Sequence, residues 1–177
     1  MFQQWKGIVS KPLMILDRFI CFIPFCTTAF LILFWRYIPE EVPLHWNSRG
    51  MIDDYADAVG YIMLVIMMYF ILGWHQLSKM LPTFDLKENL LGKNNSHLVT
   101  PETEHKYLNL LYQMLWLCDL IIQSVLAYII VCGVLIRNLG AWFLPTVYLF
   151  LIIDFGGFFV RFIRFKNQIL QHTKDKL

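Results

Sequence analysis

Four stretches of this chain run for the length of a membrane crossing with almost no charge, and few folds accommodate that pattern. They are residues 19–35 between Arg18 and Arg36, 58–78 between Asp57 and Lys79, 107–136 between Lys106 and Arg137, and 138–160 before Arg161. About 20 apolar residues cover the roughly 30 Å of hydrocarbon in a bilayer, where a helix satisfies all of its own backbone hydrogen bonds. Composition agrees: 58% of residues are hydrophobic and 16% charged, with mean hydropathy +0.53. A soluble domain carries about a quarter charged residues.

The expected fold is therefore all-α, an integral membrane four-helix bundle forming a single transmembrane domain over residues 1–177. Its helices should cover about residues 14–37, 55–80, 101–136 and 141–165. Pro24 should kink the first helix and free a carbonyl that neighbouring helices, Thr27 or Thr28 must satisfy. An even number of spans puts both termini on one side. All but three of the 15 Lys and Arg residues also fall on that side, the exceptions being Arg36, Arg49 and Arg137. By the positive-inside rule the termini and the 82–100 connection should be cytoplasmic, and the 39–54 loop should face outward. The polar GKNNSH stretch reads as a flexible surface connection. Thr100, Pro101, Glu102 and Glu104 then supply a helix start: an N-cap hydroxyl, a first-turn proline and acids at the positive dipole end.

Several function classes drop out. A net charge of +2, spread over separate clusters, does not suit nucleic acid. Cys21, Cys26, Cys118 and Cys132 lie inside apolar runs without CxxC spacing, so they read as packing residues. No small-residue cleavage site follows the first run, which should remain as a helix. None of the HExxH, GxSxG, Walker or Rossmann patterns occurs, and no cofactor or metal is expected.

Two groups of polar residues are candidates for function. The outer loop gathers His45, Trp46, Asn47, Arg49, Asp53 and Tyr55 with Asp54 and Asp57. These include acid–base and ligand types, but a structural account competes: Asp54 and Asp57 suit the start of the second helix, Asn47 and Gly50 suit a turn, and Trp46 and Tyr55 suit the membrane interface. The second group lies inside the apolar runs. Asp119 and Gln123, four apart on one helix face, and Asp154 are joined as candidates by His75. An ionisable group in lipid is costly and is a functional hypothesis by default. The competing account is a buried pair, with His75, Gln76, Arg18 or Arg161 as partners. Gly156 and Gly157 read as a point of close helix approach.

The outer loop also carries a family pattern, P-x-H-[FW]-N-x-x-G-x-x-D-x-[WY], matched by Pro43, His45, Trp46, Asn47, Gly50, Asp53 and Tyr55. In this it resembles the bacterial membrane domain DUF 1648, over roughly residues 15 to 136. Ile52 stands where that family usually has proline, and Ala58 where it usually has a basic residue. The same domain occurs in SdpI-like immunity proteins, which protect a producing cell from a secreted peptide toxin and can signal at the membrane. The resemblance implies a multi-pass protein of the bacterial cytoplasmic membrane, with immunity or sensing as its role and a peptide toxin or regulatory protein as partner.

Three functions follow as expectations. The first is a non-enzymatic protein whose outer loop recognises a peptide, toxin or partner. The second is a proton- or cation-coupled transporter using Asp119 and Asp154, built as a homodimer. The third is an intramembrane enzyme using His45, Asn47 and Asp53.

Overall fold

The computed structural model describes residues 10–79 and 99–174. The expectation of a flexible 82–100 connection falls almost wholly outside the described residues. Within them the chain is mostly helical. Four helices are long and apolar enough to cross a membrane: α1 (Lys11–Phe34), α2 (Val59–Ser78), α3 (Pro101–Val134) and α4 (Phe143–Lys174).

The region between α1 and α2 departs from the expected loop. A 3-10 turn, Trp35–Tyr37, leads into an antiparallel hairpin of β1 (Glu41–Trp46) and β2 (Ile52–Asp57). The all-α expectation is corrected to four helices plus this hairpin. The second helix accordingly begins at Val59 instead of near 55, because Tyr55 and Asp57 pair with Pro43 and Glu41 across the strands. Asp57 still serves the helix start, accepting the Val59 N–H at 2.8 Å, whereas Asp54 accepts from Tyr55 and takes no part in capping. The other ends shift modestly: α1 starts at Lys11, α3 stops at Val134, and α4 continues to Lys174.

Local chemistry explains these boundaries. The Thr100 hydroxyl accepts the Thr103 N–H at 3.3 Å with Pro101 in the first turn, as expected. Pro24 sits inside α1, but Thr27 and Thr28 donate to the carbonyls of Ile23 and Pro24. The carbonyl that proline frees is the one four residues earlier, at Ile20, so the two threonines do not satisfy it.

At about 1.5 Å per residue α2 is about 30 Å long, one bilayer core, while α3 and α4 approach 50 Å. Their overrun lies away from the hairpin and holds its own cluster, Val99 and Ile169 with Tyr107, Phe162, Phe165 and Leu170. Helix α3 is the hub, packing on α1, α2, α4 and β1. One buried cluster near the hairpin joins Leu31, Val42, Tyr61, Met68 and Ile130, and a second toward the other end joins Leu13, Ile20, Tyr112 and Trp116. A Cβ on Gly133 of α3 would overlap the Tyr61 hydroxyl, so this glycine lets α2 and α3 touch. Gly156 faces open space, which corrects its assignment to close helix approach.

Candidate functional site

The hairpin comes first, since six candidate residues lie on it. Its register is irregular in two places: Leu44 is extra on β1 and Asp53 is extra on β2. Bulges redirect side chains. Leu44 turns toward α2, close enough that a Cβ on Gly60 would overlap it. Asp53 reaches His45, with Oδ1 2.6 Å from Nδ1 on an exposed face.

Asn47 organises the turn. Its carboxamide oxygen accepts the N–H groups of Arg49 (2.9 Å) and Met51 (3.1 Å), and its carbonyl accepts from Gly50 at 2.8 Å. Gly50 adopts φ +70°, and its carbonyl accepts the Leu139 N–H at 2.8 Å. A Cβ there would overlap the Gly140 carbonyl. The Trp46 indole donates to the Arg137 carbonyl (3.3 Å), and the Asn138 side chain accepts the Ile52 N–H (3.0 Å). From beneath, the Tyr61 hydroxyl donates to the Pro43 carbonyl (3.0 Å).

The motif thus divides by role. Pro43, Trp46, Asn47 and Gly50 build the hairpin and fasten it to α2 and to the turn between α3 and α4. His45, Arg49, Asp53 and Tyr55 remain exposed on it. The Asn47 oxygen is committed to two backbone donors, so what Asn47 offers beside His45 and Asp53 is its amide N–H groups.

The second site is assembled by three helices. The His75 imidazole of α2 is wholly buried. Its Nε2 lies 2.9 Å from Asp17 Oδ1 of α1, and its Nδ1 lies 2.8 Å from Asp119 Oδ2 of α3. Lys79, one turn beyond His75, donates to Asp17 and to Gln76 Oε1 (2.9 Å), and the Gln76 amide donates to Cys21 Sγ at 3.0 Å. Trp116 closes the cluster, its ring 5.1 Å from His75 and 5.4 Å from the Lys79 ammonium.

His75 is therefore the partner of Asp119, one of those expected from sequence. Asp17 and Lys79 were missed: each stands at the end of an apolar run beside residues that read as its flank. Gln123 lies apart, donating to the Met68 carbonyl at 2.8 Å while its buried oxygen has no hydrogen-bond partner among the described residues. Asp154 is buried on α4, and its Oδ2 also has none. Asp119 and Asp154 do not share a hydrogen-bonded site, because Asp119 turns to α2. Arg161 instead donates to Gln113 (2.9 Å) and to the Gly157 carbonyl.

Counted along the helices from the hairpin end, Asp17, His75 and Asp119 lie about 22–26 Å deep and Asp154 about 16 Å. In a hydrocarbon layer of about 30 Å, the cluster would approach the far boundary and Asp154 the middle.

The family profile described as a domain of unknown function, DUF1648, matches residues 20–69. That span takes in most of α1, the whole hairpin and the first half of α2, and is shorter than the 15–136 expected from the motif. No curated protein and no solved structure matches the chain. The matched domain and the four apolar helices fit a multi-pass membrane protein.

Proposed function

We propose that this chain is a multi-pass protein of a bacterial cytoplasmic membrane whose hairpin is a fixed recognition element on the outer face. Its partner is a peptide, such as a secreted toxin, or a regulatory protein, and its role is immunity or sensing. The supporting observation is the fastening of the hairpin. Tyr61 and Leu139 donate to its carbonyls, Asn138 accepts its Ile52 N–H and its Trp46 indole donates to Arg137, so the hairpin is held and the exposed His45, Arg49, Asp53 and Tyr55 form a preorganised array. Preorganisation lowers the entropy cost of binding. The exposed residues combine an imidazole–carboxylate pair, a guanidinium and a phenol, groups suited to a polar peptide.

Two measurements test this reading. A cysteine at Arg49 should react with a membrane-impermeant maleimide in intact cells, and a cysteine at Arg164 only after lysis; the reverse pattern overturns the outward hairpin. A strain lacking the protein should become sensitive to a peptide secreted by its own strain or encoded by neighbouring genes, with protection lost on replacing Arg49 and Tyr55 by alanine. Unchanged sensitivity to all such peptides overturns the recognition role.

A further inference from the structure

Hydrogen-bond accounting at His75 leads to a second site, independent of the hairpin. A neutral imidazole has one N–H and one lone pair. Both nitrogens of His75 nevertheless face carboxylate oxygens, at 2.9 and 2.8 Å. If the imidazole were neutral and both acids ionised, a lone pair would oppose a carboxylate at one of these contacts. The arrangement is satisfied only by one additional proton, on the ring or on one of the acids.

Charge gives the same count. The groups acting on His75 are Asp17 from α1, Lys79 from its own helix and Asp119 from α3. With the proton present, Lys79 and the protonated site balance the two acids; without it, these four described side chains together carry one net negative charge. Beside them, Cys21 lies 3.8 Å from Asp17, while Asp119 and Asp154 both act electrostatically on Cys118. Lys79 also bears on the nature of the ligand. Its ammonium already occupies the place between Asp17 and Gln76 where a metal cation would sit.

We propose that Asp17, His75 and Asp119, with Lys79 as a tethered cation, form a binding site for one exchangeable proton that joins α1, α2 and α3. When the proton leaves to water, a lone pair and a carboxylate face each other between two helices, and the contact loosens.

Nitrogen-15 NMR of histidine-labelled protein in lipid nanodiscs, with infrared spectroscopy of the carboxyl stretch, tests this on the unaltered chain. The resonance of His75 is assigned by its loss in His75→Gln. At neutral pH either both ring nitrogens of His75 carry hydrogen, or one nitrogen does and a protonated aspartate band is present that disappears in Asp17→Asn or Asp119→Asn. Raising the pH should remove that single proton and lower the protection of amides in α1 and α3 around Asp17 and Asp119, measured against the base-catalysed rise in intrinsic exchange and against the amides of α4. Asp119→Asn places an amide donor opposite Nδ1, so His75 should then be neutral at neutral pH. A neutral ring beside two ionised acids at neutral pH overturns the site, as does a doubly protonated His75 ring that stays doubly protonated in Asp119→Asn. Sodium-dependent changes at constant pH overturn the proton as ligand, and proton loss with protection unchanged overturns the link to helix packing.

Discussion

The carbonyl of Gly50, at the tip of the hairpin, accepts the N–H of Leu139, in the turn between α3 and α4, at 2.8 Å. Residues 89 positions apart thereby close one end of the bundle, and Gly50 has no room for a side chain. Replacing Gly50 by alanine places a Cβ in the left-handed region and against the Gly140 carbonyl. The backbone effect alone costs about 1–2 kcal/mol. Thermal unfolding in detergent should show a clear fall in stability, whereas Gly156→Ala, facing open space inside a helix, should be neutral or gain up to about 1 kcal/mol.

Tyr61→Phe removes the buried hydroxyl that donates to the Pro43 carbonyl. The expected loss is about 0.5–1.5 kcal/mol. Hydrogen exchange over residues 41–57 should quicken while exchange in α4 stays as it was. Uniform acceleration throughout the chain would contradict a local role for this bond.

Removing His75 differs from removing the extra proton alone. His75→Ala leaves Asp17 and Asp119 facing an empty, buried space, a class of change that costs about 3–5 kcal/mol. Loss of monodisperse protein in size-exclusion chromatography is expected for it, with Asp119→Asn retaining the folded peak.

Gln123 offers the opposite case. Its amide donates to the Met68 carbonyl, but its own oxygen is buried without a partner among the described residues. Gln123→Leu removes both side-chain polar groups at similar volume, and the Met68 carbonyl, inside α2, keeps the helix's own hydrogen bonding, so stability should change by no more than about 1 kcal/mol. Gln123→Glu should be markedly destabilising in the same melt, because the charge would be buried without a cation.

How far the sequence disclosed this structure differs by element. The helices were legible because bilayer thickness sets a length that an uncharged run either meets or does not, and Thr100 and Pro101 signal a helix start by local chemistry alone. The hairpin was not legible. Its second strand, IDDYAD, is rich in a residue disfavoured in strands, and its Ile52 N–H is held by Asn138 of the α3–α4 turn, 86 positions away. His75 and Asp119 stood out as polar residues in apolar runs. Asp17 did not, because Arg18 beside it reads as the end of the run, and counting residues gives depth but not which way a helix is rotated. For that reason Asp154 looked like a partner for Asp119, which in fact turns to α2.

Helix α4 leans chiefly on α3 and leaves Leu149, Phe150, Ile152, Ile153 and Phe159 exposed, while α1, α2, the hairpin and α3 interlock through two buried clusters and the His75 cluster. Neither of these two buried clusters nor the hydrogen bonds of His75 draw a residue from α4, which is the last of the helices to leave the ribosome. The interlocked interior could close while the final helix is still being made, with the hairpin tip waiting for the α3–α4 turn to complete its docking.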